Sequence, residues 1–234
     1  MTKPNSDEPV LCEVDGRGVA QVVLNRPERN NAYDGALIQA LLATLDALAK
    51  TPGLRAVVIS GRGRHFQAGA DLKWITAVRA ASREENIAIS RATAQAIWRL
   101  NAAPVPTVAL VQGACFGGGT GLIAACDVVI AADDANFSIA EVRWGLTAAI
   151  IIPQLNDAIG VRQVRRYALT GEPAPPKPAA SGSSMRSCRP PSSRPPACAS
   201  SIRSCRTARR RLRRPKRWRC NRPGPISAKQ QKAT

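Results

Sequence analysis

The 234-residue chain has a single histidine, His65, and no Cys-x-x-Cys pair. No apolar run approaches the ~18 residues of a membrane span. Each absence excludes a class of function. With one histidine and only motif-internal neighbours, a Ser-His-Asp triad has no support. Cys12, Cys115 and Cys126 are too far apart for a zinc site. Cys188, Cys198, Cys205 and Cys220 sit among arginines with only Asn221 nearby, so no metal is expected. The opening MTKPNSDEPV lacks the apolar core of a signal peptide, and a cytoplasmic protein is expected. No glycine-rich loop ends in Gly-Lys-Ser/Thr, which removes the phosphate-binding P-loop.

Acidic residues are also missing, but only from one region. The formal charge is +18, from 34 Lys and Arg against 16 Asp and Glu, and at first points to nucleic acid. The last 62 residues, 173–234, hold 17 of the bases and none of the acids. The first 172 residues are left with 17 bases and 16 acids, a net of +1. Eleven of the 18 prolines also fall in the last stretch. The expected organisation is a near-neutral apolar domain over 1–172 and a basic Pro/Ser/Arg-rich tail over 173–234. The tail has too little apolar surface to offset the entropy of ordering, so disorder is expected there.

Within the domain, strands alternate with helices. Residues 18–25 read as a β-branched strand closed by Arg26-Pro27. Asp34 is placed to cap a helix running to Lys50, with Ile38, Leu41, Leu42, Leu45 and Leu48 on one face. Residues 54–60 form a continuous apolar strand of the kind buried in parallel sheets. Helical segments are expected over 71–80 and 84–101, a strand over 106–112, a short helix through Cys126 and a strand over 127–131. The class is α/β.

Two glycine-rich loops each join a strand to a helix: His65-Phe-Gln-Ala-Gly-Ala-Asp-Leu72 and Phe116-Gly-Gly-Gly-Thr-Gly-Leu122. Glycine lets backbone approach a ligand, and a helix N-terminus offers free N–H groups. Two such loops could aim two amides at one oxygen, the construction of an oxyanion hole. Taken singly, either loop is a tight turn. Gly119-Thr-Gly121-Leu-Ile-Ala124 also satisfies a dinucleotide fingerprint, with Glu141 20 residues after Gly121. That reading is disfavoured, because such a loop opens its domain and here only about 50 ordered-looking residues follow.

Taken together, the loops resemble the enoyl-CoA hydratase/isomerase, or crotonase, superfamily. The resemblance also takes in Leu24-Asn-Arg-Pro-Glu-Arg-Asn-Asn-Ala32, Phe137-Ser-Ile-Ala-Glu-Val-Arg-Trp-Gly-Leu146 and Arg166-Tyr-Ala-Leu-Thr-Gly171. It implies a spiral of ββα units, an acyl-CoA thioester as ligand, coenzyme A as part of the substrate with no separate cofactor, and trimers or hexamers. Carried over, the oxyanion-hole donors are the amides of Ala70 and Gly118. The segment around Ala68, Ala70, Asp71, Leu72 and Lys73 contacts the substrate. Hydratases of this family commonly use two glutamates. The second position is Glu141; the first falls on Gly121, so the pair is incomplete. Double-bond isomerases with one glutamate are the alternative. Finer resemblance is to bacterial methylglutaconyl-CoA and isohexenylglutaconyl-CoA hydratases, which implies hydration of a branched 2-enoyl-CoA.

Other residues receive blander readings. His65 is a loop-rim residue rather than a CoA-phosphate ligand, and Trp74, Trp98 and Trp144 are packing residues or pocket walls. Glu141 has a surface alternative, a salt bridge to Arg143. The family continues past residue 172 with helices that cover the acyl pocket and build subunit contacts, whereas the tail does not. The body uses 14 Arg to 3 Lys, as a GC-rich gene would. A shift of reading frame near Pro173 would yield a tail of this composition. The competing readings are a basic tail that binds nucleic acid through phosphates, which is disfavoured, and an inactive truncated fragment.

Overall fold

The computed structural model describes residues 7–174. Of the tail expected to be disordered, only Pro173 and Ala174 fall within them, and these are ordered: Pro173 bridges Ser138, and Ala174 N–H donates to Phe137 O at 2.8 Å. The other expectations placed on the tail lie outside the described residues. The main sheet has five strands in the order β1-β2-β3-β4-β6. These are β1 (Val10–Val14), β2 (Val19–Leu24), β3 (Ala56–Gly61), β4 (Thr107–Val111) and β6 (Val128–Ala131). Only β1 and β2 run antiparallel, as a hairpin; every later pairing is parallel. Central β3 carries the buried run Val57-Val58-Ile59, as its unbroken apolar sequence predicts. A second sheet pairs β5 (Ala114–Phe116) with β7 (Asn136–Ser138), also in parallel.

Helix α1 (Gly35–Leu48) begins where expected, because the Asp34 carboxylate accepts the Leu37 amide. Its buried face is Leu37, Ile38, Leu41, Leu45 and Leu48. Leu42, expected on that face, is only partly buried against the core. Helix α3 (Arg83–Asn101) opens on a capping box in which Ser82 and Glu85 bond each other's backbone. It buries Thr93, Ala96, Ile97 and Leu100. The remaining helices are α2 (Leu72–Ala80), α4 (Gly118–Ala124), α5 (Ile152–Ile159) and α6 (Val161–Thr170).

The two sheets bring the glycine-rich loops side by side. Gln67 N–H donates to Ala114 O at 3.1 Å, and Phe116 N–H donates back to Gln67 O at 2.9 Å. The first loop is held from below by Asn31, which is fully buried. Its amide donates to Arg62 O and His65 O, and its Oδ1 accepts the Arg26 N–H. Asn30 O takes the Ala68 amide at 3.0 Å. The Asn-Arg-Pro turn therefore shapes the loop that carries Ala70.

Candidate active site

Ala70 lies between two bonds that fix its segment. Tyr33 N–H donates to Gly69 O and Asp71 N–H donates to Tyr33 O, each at 2.9 Å. These bonds leave the Ala70 amide without an acceptor among the described residues. The Gly118 amide is the first donor of α4 and cannot reach an intrahelical carbonyl. Both are free to take an external oxygen. Their segments touch: a Cβ on Gly69 would stand 3.5 Å from Phe116 O.

Gly117 makes the turn into α4. Its φ of +50° favours glycine, and Ser138 O accepts its amide at 2.9 Å. No side chain caps this helix. A Cβ at Gly117 would meet Glu141 Oε1 at 3.0 Å, so the carboxylate lies against the glycine that precedes Gly118. A Cβ at Gly118 would come within 2.6 Å of Tyr33 Cε1. The residues that crowd this helix start leave space for glycine only.

Glu141 opens a short 3-10 turn, Glu141–Trp144. Its Oε2 is buried and has no hydrogen-bond partner among the described residues. Burial raises its pKa above the ordinary carboxylate value. The alternative salt bridge to Arg143 is not formed; that guanidinium donates to Gly171 O at 2.7 Å. Gly171 O also accepts the Ser138 hydroxyl at 3.2 Å. One carbonyl thus ties the Glu141 turn to β7 and to the end of α6. Tyr33 is pushed up to about 12 by burial and by the charge of Glu141.

The missing first glutamate has a structural counterpart. A side chain at Gly121 would overlap Ile151 Cγ2, and its Cβ would lie 2.8 Å from Ile151 Cβ and 3.2 Å from Ile97 Cδ1. Apolar side chains fill the space that a carboxylate at 121 would need.

The expected substrate-contacting segment divides in use. Ala68 and Ala70 lie in the loop, while Leu72 and Lys73 are exposed on the first turn of α2. Asp71 is occupied structurally. Its Oδ1 accepts the Lys73 and Trp74 amides, and its Oδ2 pairs with Arg29 at 2.8 Å and Arg26 at 3.9 Å. The Arg29 bond, with the two amides, holds the Asp71 pKa below the usual carboxylate range. His65 Nδ1 accepts the Ala114 amide at 3.0 Å, a role in loop structure. Trp74 meets Tyr33 edge-on with ring centroids 5.7 Å apart. Trp144, expected to pack or line a pocket, is instead more than half exposed; Trp98 is as exposed but lines a surface cavity with Leu48, Leu54 and Pro104. No group of three or more potential metal ligands occurs among the described residues, nor any helix long and apolar enough to cross a membrane.

Sequence reasoning missed Tyr33 and Ile151. Both act on glycines distant in sequence, and only the fold brings them there.

Comparison with known proteins bears on the fold and the family. The pattern of the family described as "Enoyl-CoA hydratase/isomerase" matches residues 15–182, running past Glu172. A hydroxycinnamoyl-CoA hydratase-lyase of Pseudomonas fluorescens is 36% identical over 158 residues, which is 66% of this chain and 57% of that protein. Pseudomonas aeruginosa AtuE superposes with a TM-score of 0.68 at 40% identity, over 71% of this chain and 64% of that one. An enoyl-CoA hydratase structure from Shewanella pealeana gives 0.69 at 37% identity, over 71% and 62%. The chain thus spans less than two thirds of the length of each of these relatives. Its α/β fold is the crotonase fold, and the chain belongs to the enoyl-CoA hydratase/isomerase family.

Proposed function

We propose that the chain is an enoyl-CoA hydratase acting on a branched 2-enoyl-CoA of the 3-methylglutaconyl or isohexenylglutaconyl type. The observation that carries this reading is the buried, unpartnered Oε2 of Glu141, whose carboxylate lies against the glycine turn that presents the Gly118 amide. The amides of Ala70 and Gly118 take the thioester oxygen and stabilise the enolate that forms when water adds at C3. A donor of this kind is worth about 2.7–4 kcal/mol of barrier. Glu141 takes the proton from water and returns it to C2. Burial raises its pKa above the ordinary carboxylate value, which makes it a stronger proton acceptor for this exchange. Leu72 and Lys73 at the start of α2 flank the coenzyme A moiety. Assembly into trimers or hexamers belongs to the same reading.

A second reading, double-bond isomerisation, is favoured by Ile151 over Gly121, which leaves Glu141 as the carboxylate beside the amides. There the same residue moves a proton between C2 and C4 without water. The shortfall in length against the relatives favours a third, an inactive partial chain.

The test is turnover of 3-methylglutaconyl-CoA by the full chain and by Glu141→Gln, with the 3-hydroxy and shifted-double-bond products separated. Hydration by the wild type and its loss in the variant are expected. A shifted double bond alone selects the isomerase, equal turnover in both removes Glu141 as the acid/base, and no turnover selects the inactive chain.

A further inference from the structure

Position 121 is closed to a second carboxylate, so a water held by Glu141 must find its other partner on a different element. Tyr33 faces the same helix start. Its Cζ would stand 3.3 Å from a Cβ at Gly118, while Glu141 Oε1 would stand 3.0 Å from one at Gly117. Consecutive glycines therefore carry a phenol and a carboxylate against one end of α4. The Tyr33 backbone is bonded on both sides of Ala70, and Trp74 meets its ring, so the ring is fixed relative to both amide-bearing loops.

Two polar groups here lack partners. Glu141 Oε2 is buried and unbonded, and no hydrogen bond among the described residues engages the Tyr33 hydroxyl. The phenol stays neutral at physiological pH. Gln67 also has an unpartnered oxygen, 2.9 Å from a Cβ at Gly119. It stands one residue further along, however, and its backbone is bonded between the two loops, with 1% of the residue exposed.

We propose that Tyr33 is a second catalytic residue, whose hydroxyl oxygen accepts one hydrogen of the attacking water while Glu141 Oε2 accepts the other. This assignment rests on the hydratase reading. The O–H bond facing Glu141 breaks and its proton passes to the carboxylate. The oxygen's electron pair forms the bond to C3, and the C2–C3 π pair moves into the enolate held by the amides. The proton then leaves Glu141 for C2. Tyr33 neither gains nor loses a proton; it aims the water.

Tyr33→Phe in the full chain keeps the ring and removes the hydroxyl. Two rates are read: hydration of 3-methylglutaconyl-CoA, and exchange of the C2 hydrogens of saturated 3-methylglutaryl-CoA in D2O. Exchange needs Glu141 and the amides but no water attack. Hydration kcat should fall by about tenfold or more, the loss expected for one hydrogen bond in the transition state. KM should stay within about twofold, and exchange should be unchanged. Unchanged hydration in the variant overturns the role of Tyr33 and leaves the hydratase reading standing. Loss of exchange together with hydration also overturns it, because the ring then only shapes the site. A wild type that exchanges but never hydrates overturns the hydratase reading, and Tyr33's role with it.

Discussion

The first turn of α2 begins on a carboxylate that is fully engaged, and the first turn of α4 begins on a glycine with no side-chain cap. Asp71 satisfies two amides of α2 and pairs with Arg29 and Arg26. At α4 the Gly118 amide is left free, and the nearby carboxylate, Glu141, has an oxygen with no partner. The pKa directions follow. Asp71 is held low by its arginine and amides, Glu141 is raised by burial. A satisfied helix end stabilises the fold. An unsatisfied one stores binding capacity for a ligand oxygen, at a cost in stability.

The comparison is sharpened most by Glu141→Gln. Hydration should fall by about 10²–10⁴-fold, the range for a general acid/base. Stability should move the other way. Because the folded pKa is raised, the unfolded chain binds fewer protons in the window between the ordinary and raised values. The wild type therefore loses stability as pH rises through that window and does not regain it above. Glu141→Gln should melt higher than wild type at pH 7, with the gap closing toward acid pH. A lower melting temperature at pH 7 would show a partner for the carboxylate.

Next in size is Gly121→Glu, which installs the family's first glutamate. Overlap with Ile151 and a buried charge should destabilise the fold by about 3–5 kcal/mol, read by urea unfolding, with no gain in hydration. A stable variant with faster turnover would mean that Ile151 yields easily and the site accepts two carboxylates.

Asp71→Ala is the smallest effect. Loss of the cap should cost about 1–2 kcal/mol, with kcat changed far less than by Glu141→Gln. The depressed pKa gives the opposite pH sense to Glu141. Its stabilisation is present above the ordinary aspartate value and disappears as pH falls through the depressed one. If kcat falls as far as in Glu141→Gln, the division between the two helix ends fails.

Much of this was legible in the chain itself. Helix α1 and strand β3 announce themselves by periodicity and by an unbroken apolar run, and Asp34 marks its helix start. The paired glycine loops and Glu141 are readable because glycine turns and their order survive in sequence. Strands β5 and β7 are three residues each, too short for any alternation to register. Helix α6 carries three arginines among its ten residues and buries only Val164. The placing of Tyr33 on Gly118 and of Ile151 on Gly121 joins residues 85 and 30 positions apart. Local pattern carries no record of such contacts.

The central claim is that two backbone amides polarise a thioester. Infrared difference spectroscopy of 3-methylglutaconyl-CoA carrying ¹³C at the thioester carbonyl, bound to the Glu141→Gln chain, reads that directly. The carbonyl stretch should fall in frequency on binding, as donation from Ala70 and Gly118 draws charge onto the oxygen. A stretch at the same frequency as in free solution, with the ligand demonstrably bound, contradicts the account.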